Sequence, residues 1–467
     1  MIWDLKKYGD APALLDGVSV TTYAQLDELR RAAAEPIPAR SLVFILCTNT
    51  VGSVAGYIGM VNAGHVPLLL DSKISADLLD NLVKTYRPSY LWLPEALSAD
   101  FPSAVRTGGA AGYALLDMRE SSPYALSPEL CVLISTSGST GSPKLVRQSE
   151  KNIVSNTRSI IGYLGITSSE RAVTSLPMNY VYGLSVINTH LYAGASVVLT
   201  ETLPYSVNFW KLVNDNGVTS FAGVPFTYEM VKKLRIMKTD MPTVKTMTQA
   251  GGKLPVELQN EFAVSCAEKG IRFVVMYGAS EATARMGYLP AEKTLEKQGS
   301  MGVAIPGGRF ELIDSDGSAI TEPDKVGELV YYGDNVTLGY SVAGDDLAKG
   351  DENHGRLVTG DMAYRDGDGF YYIVGRKKRF LKILGKRFNL DETERLLQTR
   401  FDTPDIACAG KDDELGIFIT CEELQKGIED YLLEELGLSR KLLRFSVVAE
   451  IPKNSSGKTQ YKELENM

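Results

Sequence analysis

Residues 133–146, LISTSGSTGSPKLV, pack Gly, Ser and Thr between a strand-like apolar run and a lysine. Only a loop of small residues lets successive backbone N–H groups close on phosphate oxygens. Within the run Thr136, Ser137, Gly138, Ser139, Thr140 and Gly141, the hydroxyls add donors. Lys144 brings a positive charge to a polyphosphate whose own charge shifts during reaction. Gly141 is followed by Ser-Pro-Lys, so this is not a Walker loop. A second stretch, PKNSSGKT, has Walker spacing at Gly457, Lys458 and Thr459 but carries Pro452 where the first glycine is required.

Other polar residues sit where apolar runs end. Glu281 in YGASEAT follows Tyr277 and Gly278 at a strand terminus, where ligands of open α/β sheets bind. Asp361 in TGD offers two acceptor oxygens, which suits the paired hydroxyls of a ribose. Taken singly, each has a plain alternative: Glu281 a solvated carboxylate at a helix start, Asp361 a turn cap, and Arg376 and Lys458 solvated surface cations.

Their order along the chain is more specific. LPMNYVYGLS from Leu176, QAGGKLP from Gln249, YGASEAT from Tyr277, TGDMAYRDGDGFYYIVGR from Thr359 and PKNSSGK from Pro452 follow the phosphate-type loop. In that order they resemble the adenylate-forming superfamily of acyl-CoA synthetases, peptide-synthetase adenylation domains and firefly luciferase. The resemblance runs over most of the chain. It implies activation of a carboxylic acid by ATP and Mg²⁺ to an acyl-adenylate with release of pyrophosphate. Transfer of the acyl group to a pantetheine thiol, of CoA or of an acyl carrier protein, would follow.

By the same resemblance Thr136, Lys144, Glu281 and Lys458 are the catalytic residues, with Glu281 the Mg²⁺ ligand and Lys458 reaching in from a small domain. Gly251, Gly252, Tyr277, Gly278 and Ser280 border the nucleotide, with Tyr277 against adenine and Ser280 replacing the more usual Thr. Asp361 and Arg376 reach the nucleotide too. Tyr180, Val181, Gly251 and Gly278 border the acid, Gly385 approaches the pantetheine arm, and Lys378 is the hinge about which the small domain turns.

Two departures bear on specificity. Amino-acid-activating relatives, including D-alanine ligases, place an aspartate where this chain has Val181. A free α-ammonium would lose its counter-charge there, and burying it unpaired is costly, so a simple acyl, hydroxyacyl or aryl acid is expected. Seven of the twelve residues 376–387 are Lys or Arg. They read as a solvated charged face or as a landing site for a phosphopantetheine phosphate or an acidic carrier protein. Tyr461 stands where an arginine is common. A catalytically degenerate nucleotide or acyl binder is the reading from another class, and retention of the mobile Lys458 argues against it.

The elements that must hold these residues are legible as alternating strand and helix patterns. From about residue 40 to 276, SLVFILC, HVPLLL, YLWLP, AVTSLP, SVVLT, TSFAGV and RFVVMYG are strand candidates separated by amphipathic stretches, which implies βαβ units and mainly parallel sheet. Residues 51–70 read as a buried helix and then a strand. After Gly299 the dipeptides Asp316-Gly317, Asp366-Gly367 and Asp368-Gly369 mark hairpins of a β-rich subdomain. The expected fold is α/β, with a large domain over residues 1–376 and a small mobile α+β domain over residues 377–467 that includes helices at DETERLLQ and IEDYLLEEL.

Composition agrees with this class. Of 467 residues 44% are hydrophobic and 23% charged, as in ordinary globular proteins. A net charge of −8 gives no global attraction for nucleic acid. The five dispersed cysteines form no CxxC pair, and three scattered histidines leave little for a metal site or a Ser-His-Asp triad. No run approaches a membrane span, and a cytoplasmic location is expected.

Overall fold

The computed structural model describes residues 2–119, 122–135, 144–383, 386–435, 438–453 and 459–465. The chain forms two compact units, one of Met1–Thr136, Ser142–Arg309 and Tyr332–Leu357, the other including Phe310–Tyr331 and Val358–Met467. Lys378, the expected hinge, and the expected boundary after Arg376 both fall inside the second unit. No helix among the described residues is long and apolar enough to cross a membrane.

The first unit holds two large sheets. In the eight-stranded one, Leu42–Cys47, Val66–Asp71, Tyr90–Pro94 and Leu130–Ser135 pair in parallel, and antiparallel strands extend both sides. In the nine-stranded one, Pro12–Leu15, Ser196–Val198, Arg171–Val173, Ser220–Gly223, Thr246–Gln249 and Arg272–Tyr277 run parallel. Helices Val51–Asn62 and Val181–Ala193 are buried along almost their whole length. They share one apolar cluster with Val43 and Ile45 of the first sheet and Leu14 and Val197 of the second. That explains why these helices are apolar all round instead of striped.

All seven strand candidates contain a strand, but AVTSLP is extended only over Arg171–Val173. Beyond it the hydroxyl of Thr174 donates to Thr200 O at 3.1 Å and that of Ser175 to Ala222 O. Side chains there take over carbonyls that a ladder would have used. Thr246–Gln249, too polar to stand out, is a fully buried strand between two parallel neighbours.

The second unit contains most of a five-stranded sheet in the order Ala319–Ile320, Gly308–Ile313, Gly327–Gly333, Arg356–Arg365, Tyr371–Arg376, whose outer pairs are antiparallel. The expected hairpins close it: Asp314 N–H donates to Ser318 O and Asp366 N–H to Phe370 O, both at 2.9 Å. Further along, helices Leu390–Arg400 and Leu424–Glu434 and the three-stranded sheet Ile406–Lys411, Glu414–Ile419, Leu443–Val447 form an α+β body around Leu397, Ile417 and Leu432.

Candidate active site

Three parallel strands of the nine-stranded sheet end in register, with Gly223 opposite Gln249 and Gln249 opposite Val275. Gly251, Gly252, Tyr277, Gly278, Ser280 and Glu281 lie at or just beyond those ends. Gly251 has φ +87°, and a β-carbon there would sit 2.7 Å from the Tyr180 hydroxyl; only glycine satisfies both the backbone and the contact. Gly278 passes Ala284 O so closely that a β-carbon would lie at 1.8 Å. The turn after Tyr277 is therefore drawn back against its own strand, since Met286 N–H donates to Tyr277 O at 2.9 Å.

That turn carries Ser280 and Glu281 in the short 3-10 helix Ser280–Ala282. Its frame is rigid. The Thr337 N–H and hydroxyl both donate to Glu281 O at 3.0 Å, and the Asn335 amide donates to Ala282 O at 2.9 Å and Arg285 O at 2.8 Å. The Glu281 carboxylate accepts from the Tyr340 hydroxyl at 2.6 Å. Burial and then the Glu281 charge push the Tyr340 phenol above its ordinary range, so it remains the donor. Lys144 Nζ lies 5.1 Å from the centroid of the same ring, within cation–π reach.

Tyr340 had no motif to mark it. It is delivered by pairing of Gly339–Ser341 with Leu145–Ser149, in which Tyr340 faces Val146. The buried Arg147 guanidinium locks that pairing, donating to Tyr340 O at 3.1 Å and Leu338 O at 3.0 Å and forming an ion pair with Glu352.

In the second unit Asp361 and Arg376 are cross-strand partners, with Arg376 Nε 3.5 Å from Asp361 Oδ1. Asp361 N–H donates to the Thr359 hydroxyl at 3.0 Å, which donates to Leu329 O at 2.8 Å. Lys378 is exposed. The basic segment beside it differs from a solvated cationic face. Arg379 is buried, ion-paired to Asp391 at 2.7 Å and Glu394 at 3.2 Å, and stacked on the Tyr461 ring at 3.6 Å. Lys377 is paired with Glu328 at 2.7 Å. The cause lies in the helix after the segment, whose Asp391 and Glu394 neutralise Arg379, so the segment has fewer free cations than its sequence suggests.

Thr136, Ser137, Gly138, Ser139, Thr140, Gly141, Gly385 and Lys458 lie outside the described residues. Gly252 packs near Pro225. Val181 is buried in the main apolar cluster. Other residues of its helix, Tyr182, Ser185, Val186, Thr189 and His190, line a cavity of about 40 Å³ together with Arg285. No motif marked it, because it forms only where this helix packs against the strands.

A single carboxylate such as Glu281 suits Mg²⁺, which keeps most of its shell as water and phosphate oxygen. Among the described residues no group of three or more His, Cys, Asp or Glu is placed to hold a metal.

Comparison with known proteins bears on the family and the fold. The model of the family described as AMP-binding enzyme matches residues 2–341. Sulfoacetate–CoA ligase of Cupriavidus necator is 29% identical over 347 residues, 72% of this chain and 66% of the relative. 2-Succinylbenzoate–CoA ligase of Bacillus subtilis is 27% identical over 73% of this chain and 70% of the relative. 3-Hydroxybenzoate–CoA ligase of an Aromatoleum species is 23% identical over 98% and 94%. The structure of O-succinylbenzoate coenzyme A synthetase from Bacillus subtilis in complex with AMP superposes with a TM-score of 0.79 at 22% identity, over 99% of this chain and 98% of that one. At that identity the likeness concerns the fold.

Proposed function

The chain belongs to the AMP-binding enzyme family, and from that membership we propose that it is an acid–CoA ligase that works through an acyl-adenylate. In the first step a carboxylate oxygen of the acid attacks the α-phosphorus of ATP and pyrophosphate leaves. In the second the CoA thiolate attacks the acyl carbon and AMP leaves. The observation that carries the reading is the cluster beyond the strand Arg272–Tyr277: Glu281 held by Tyr340, with Lys144 over the same ring.

The roles are those that the family resemblance implies. Thr136, Ser137, Gly138, Ser139, Thr140 and Gly141 wrap the phosphates and Lys144 offsets their charge. Glu281 would hold Mg²⁺, which when bound would neutralise charge on the phosphate oxygens. Gly251, Gly252, Tyr277, Gly278 and Ser280 border the base and the acyl group, and Asp361 accepts from the ribose. Arg376 orients Asp361, Lys458 holds the acid against the α-phosphate, and Gly385 admits the pantetheine arm. Residues 377–467 act as a lid turning about Lys378.

Tyr180, against Gly251, walls the acid site, and Val181 leaves an α-ammonium without a counter-charge. The acid is therefore one without a free α-amino group. CoA is favoured over a carrier protein because Arg379 and Lys377 are already paired within the fold and the names of the relatives specify CoA. The test is pyrophosphate release from ATP and Mg²⁺ across a panel of acids, followed by mass spectrometry of the CoA product. Acid-dependent release and an acyl-CoA are expected. No release with any acid sinks the ligase and leaves a nucleotide- or acyl-binding protein.

A further inference from the structure

Arg285 lies four residues past Glu281, yet the adenylation chemistry assigns it nothing. It is 3% exposed and lines the cavity beneath helix Val181–Ala193. Its guanidinium lies over the Tyr182 ring, 3.9 Å from the centroid, and donates to Ala284 O at 3.2 Å and, weakly, to the Ser185 hydroxyl at 3.4 Å. Its Nε, fully buried, has no acceptor. No carboxylate among the described residues lies within ion-pair distance of it.

The contrast with the other buried arginines is informative. Arg147 is paired with Glu352, and Arg379 with Asp391 and Glu394. Buried charges are ordinarily paired because desolvation is so costly. Among the described residues Arg285 has only aromatic and neutral polar neighbours, the Tyr163 hydroxyl included, and it lines the cavity.

Other titratable groups on the cavity wall do not supply the missing charge. Glu170 is paired with Lys245 at 3.1 Å. His190 is held neutral by burial, with its pKa lowered to about 4. Arg272 donates outward to Leu164 O and Thr246 Oγ1. The cavity lies along the strands that carry the proposed acyl site: its wall runs from Ser220, Thr246 and Arg272, where those strands start, to Thr248 and to Met276, which precedes Tyr277. Tyr182, beneath Arg285, is a ring neighbour of Tyr180, with centroids 6.4 Å apart, and Tyr180 touches Gly251. About 40 Å³ is space for roughly three water-sized groups, enough for a carboxylate head and too little for a long alkyl tail.

We infer that Arg285 is a specificity-determining residue that receives a second anionic group, a carboxylate, at the far end of the acid, so that the substrate is a short dicarboxylic acid. The inference rests on the ligase reading. One carboxylate reacts at the strand ends and the other supplies the counter-charge Arg285 lacks, in the bidentate geometry a guanidinium offers.

The test uses matched pairs: aliphatic and aromatic dicarboxylic acids, each against its monomethyl ester, which keeps the size and removes the distal charge. kcat/KM for pyrophosphate release is measured with the wild-type chain, Arg285→Leu and Arg285→Lys, with melting curves to show that the variants fold. The wild-type chain is expected to prefer one diacid over its ester on the order of 100-fold, the size of effect seen when a buried charge pair loses one partner. Arg285→Leu brings that ratio close to one, and Arg285→Lys falls between. Should Arg285→Leu not fold, the wild-type ratio and Arg285→Lys decide. Equal use of acid and ester, or a ratio that ignores Arg285, overturns the inference and leaves the ligase standing. Absence of release with every acid overturns both.

Discussion

Tyr340 and Glu281 share a hydrogen bond of 2.6 Å between a phenol and a carboxylate, and the phenol is partly exposed. A hydrogen bond to a charged group contributes more than a neutral one, and partial exposure reduces that figure. Its larger effect is orientation: one oxygen of Glu281 is tied down, which aims the other. Tyr340→Phe is expected to lower kcat/KM for pyrophosphate release by about tenfold, the cost of a misplaced ligand group. Melting should stay within a few degrees of the parent, because Arg147 holds the strand without the phenol. A large fall in melting temperature would instead assign Tyr340 to the fold. No motif pointed to it, because the contact depends on a strand pairing between residues 145–149 and 339–341. Asp361 and Arg376 do lie in motifs, at the two ends of a short hairpin written in Asp-Gly turns.

Helix Val181–Ala193 is the element through which stability and specificity meet. His190, near its end, is fully buried, with Nδ1 2.9 Å from Val186 O and Nε2 3.2 Å from the Ser220 hydroxyl. Burial lowers its pKa from 6.5 to about 4. Between those values the unfolded chain binds the proton and the folded one does not, so acidification favours unfolding. About 3 kcal/mol of stability is expected to disappear from this group as pH falls from 6.5 to 4. Denaturant titrations across that range should show His190→Gln losing correspondingly less; equal slopes would place the acid sensitivity elsewhere. In the second unit the segment Lys377–Arg379 depends on helix Leu390–Arg400. Arg379→Ala strands Glu394, itself 8% exposed, and is expected to destabilise that unit by about 3 kcal/mol. A midpoint unchanged in chemical denaturation would return Arg379 to the surface.

At the scale of the whole chain, alternating strands and helices, the hairpins and the α+β tail were legible because each is written in local periodicity or turn residues. Thr246–Gln249 was not, because its polar side chains are buried only once parallel neighbours cover them. Val181 was legible as an absence of charge, whereas the Arg285 cavity depends on tertiary packing of a helix against three strand ends. The proposed division of labour between lobes is tested by separating the two half-reactions. Lys458, outside the described residues, is assigned to hold the acid against the α-phosphate. An ammonium there offsets charge that builds only as the pentavalent phosphorus forms. Thioester formation breaks a different bond and puts no such charge on phosphorus, so the same lysine has little to do in it. Lys458→Ala is expected to lower adenylation, read as pyrophosphate release, on the order of 100-fold or more. The same variant given synthetic acyl-adenylate and CoA should form acyl-CoA at close to the parent rate. Equal loss of both half-reactions would mean that Lys458 serves a single conformation common to the two steps, and the alternation of a lid about Lys378 would fall with it.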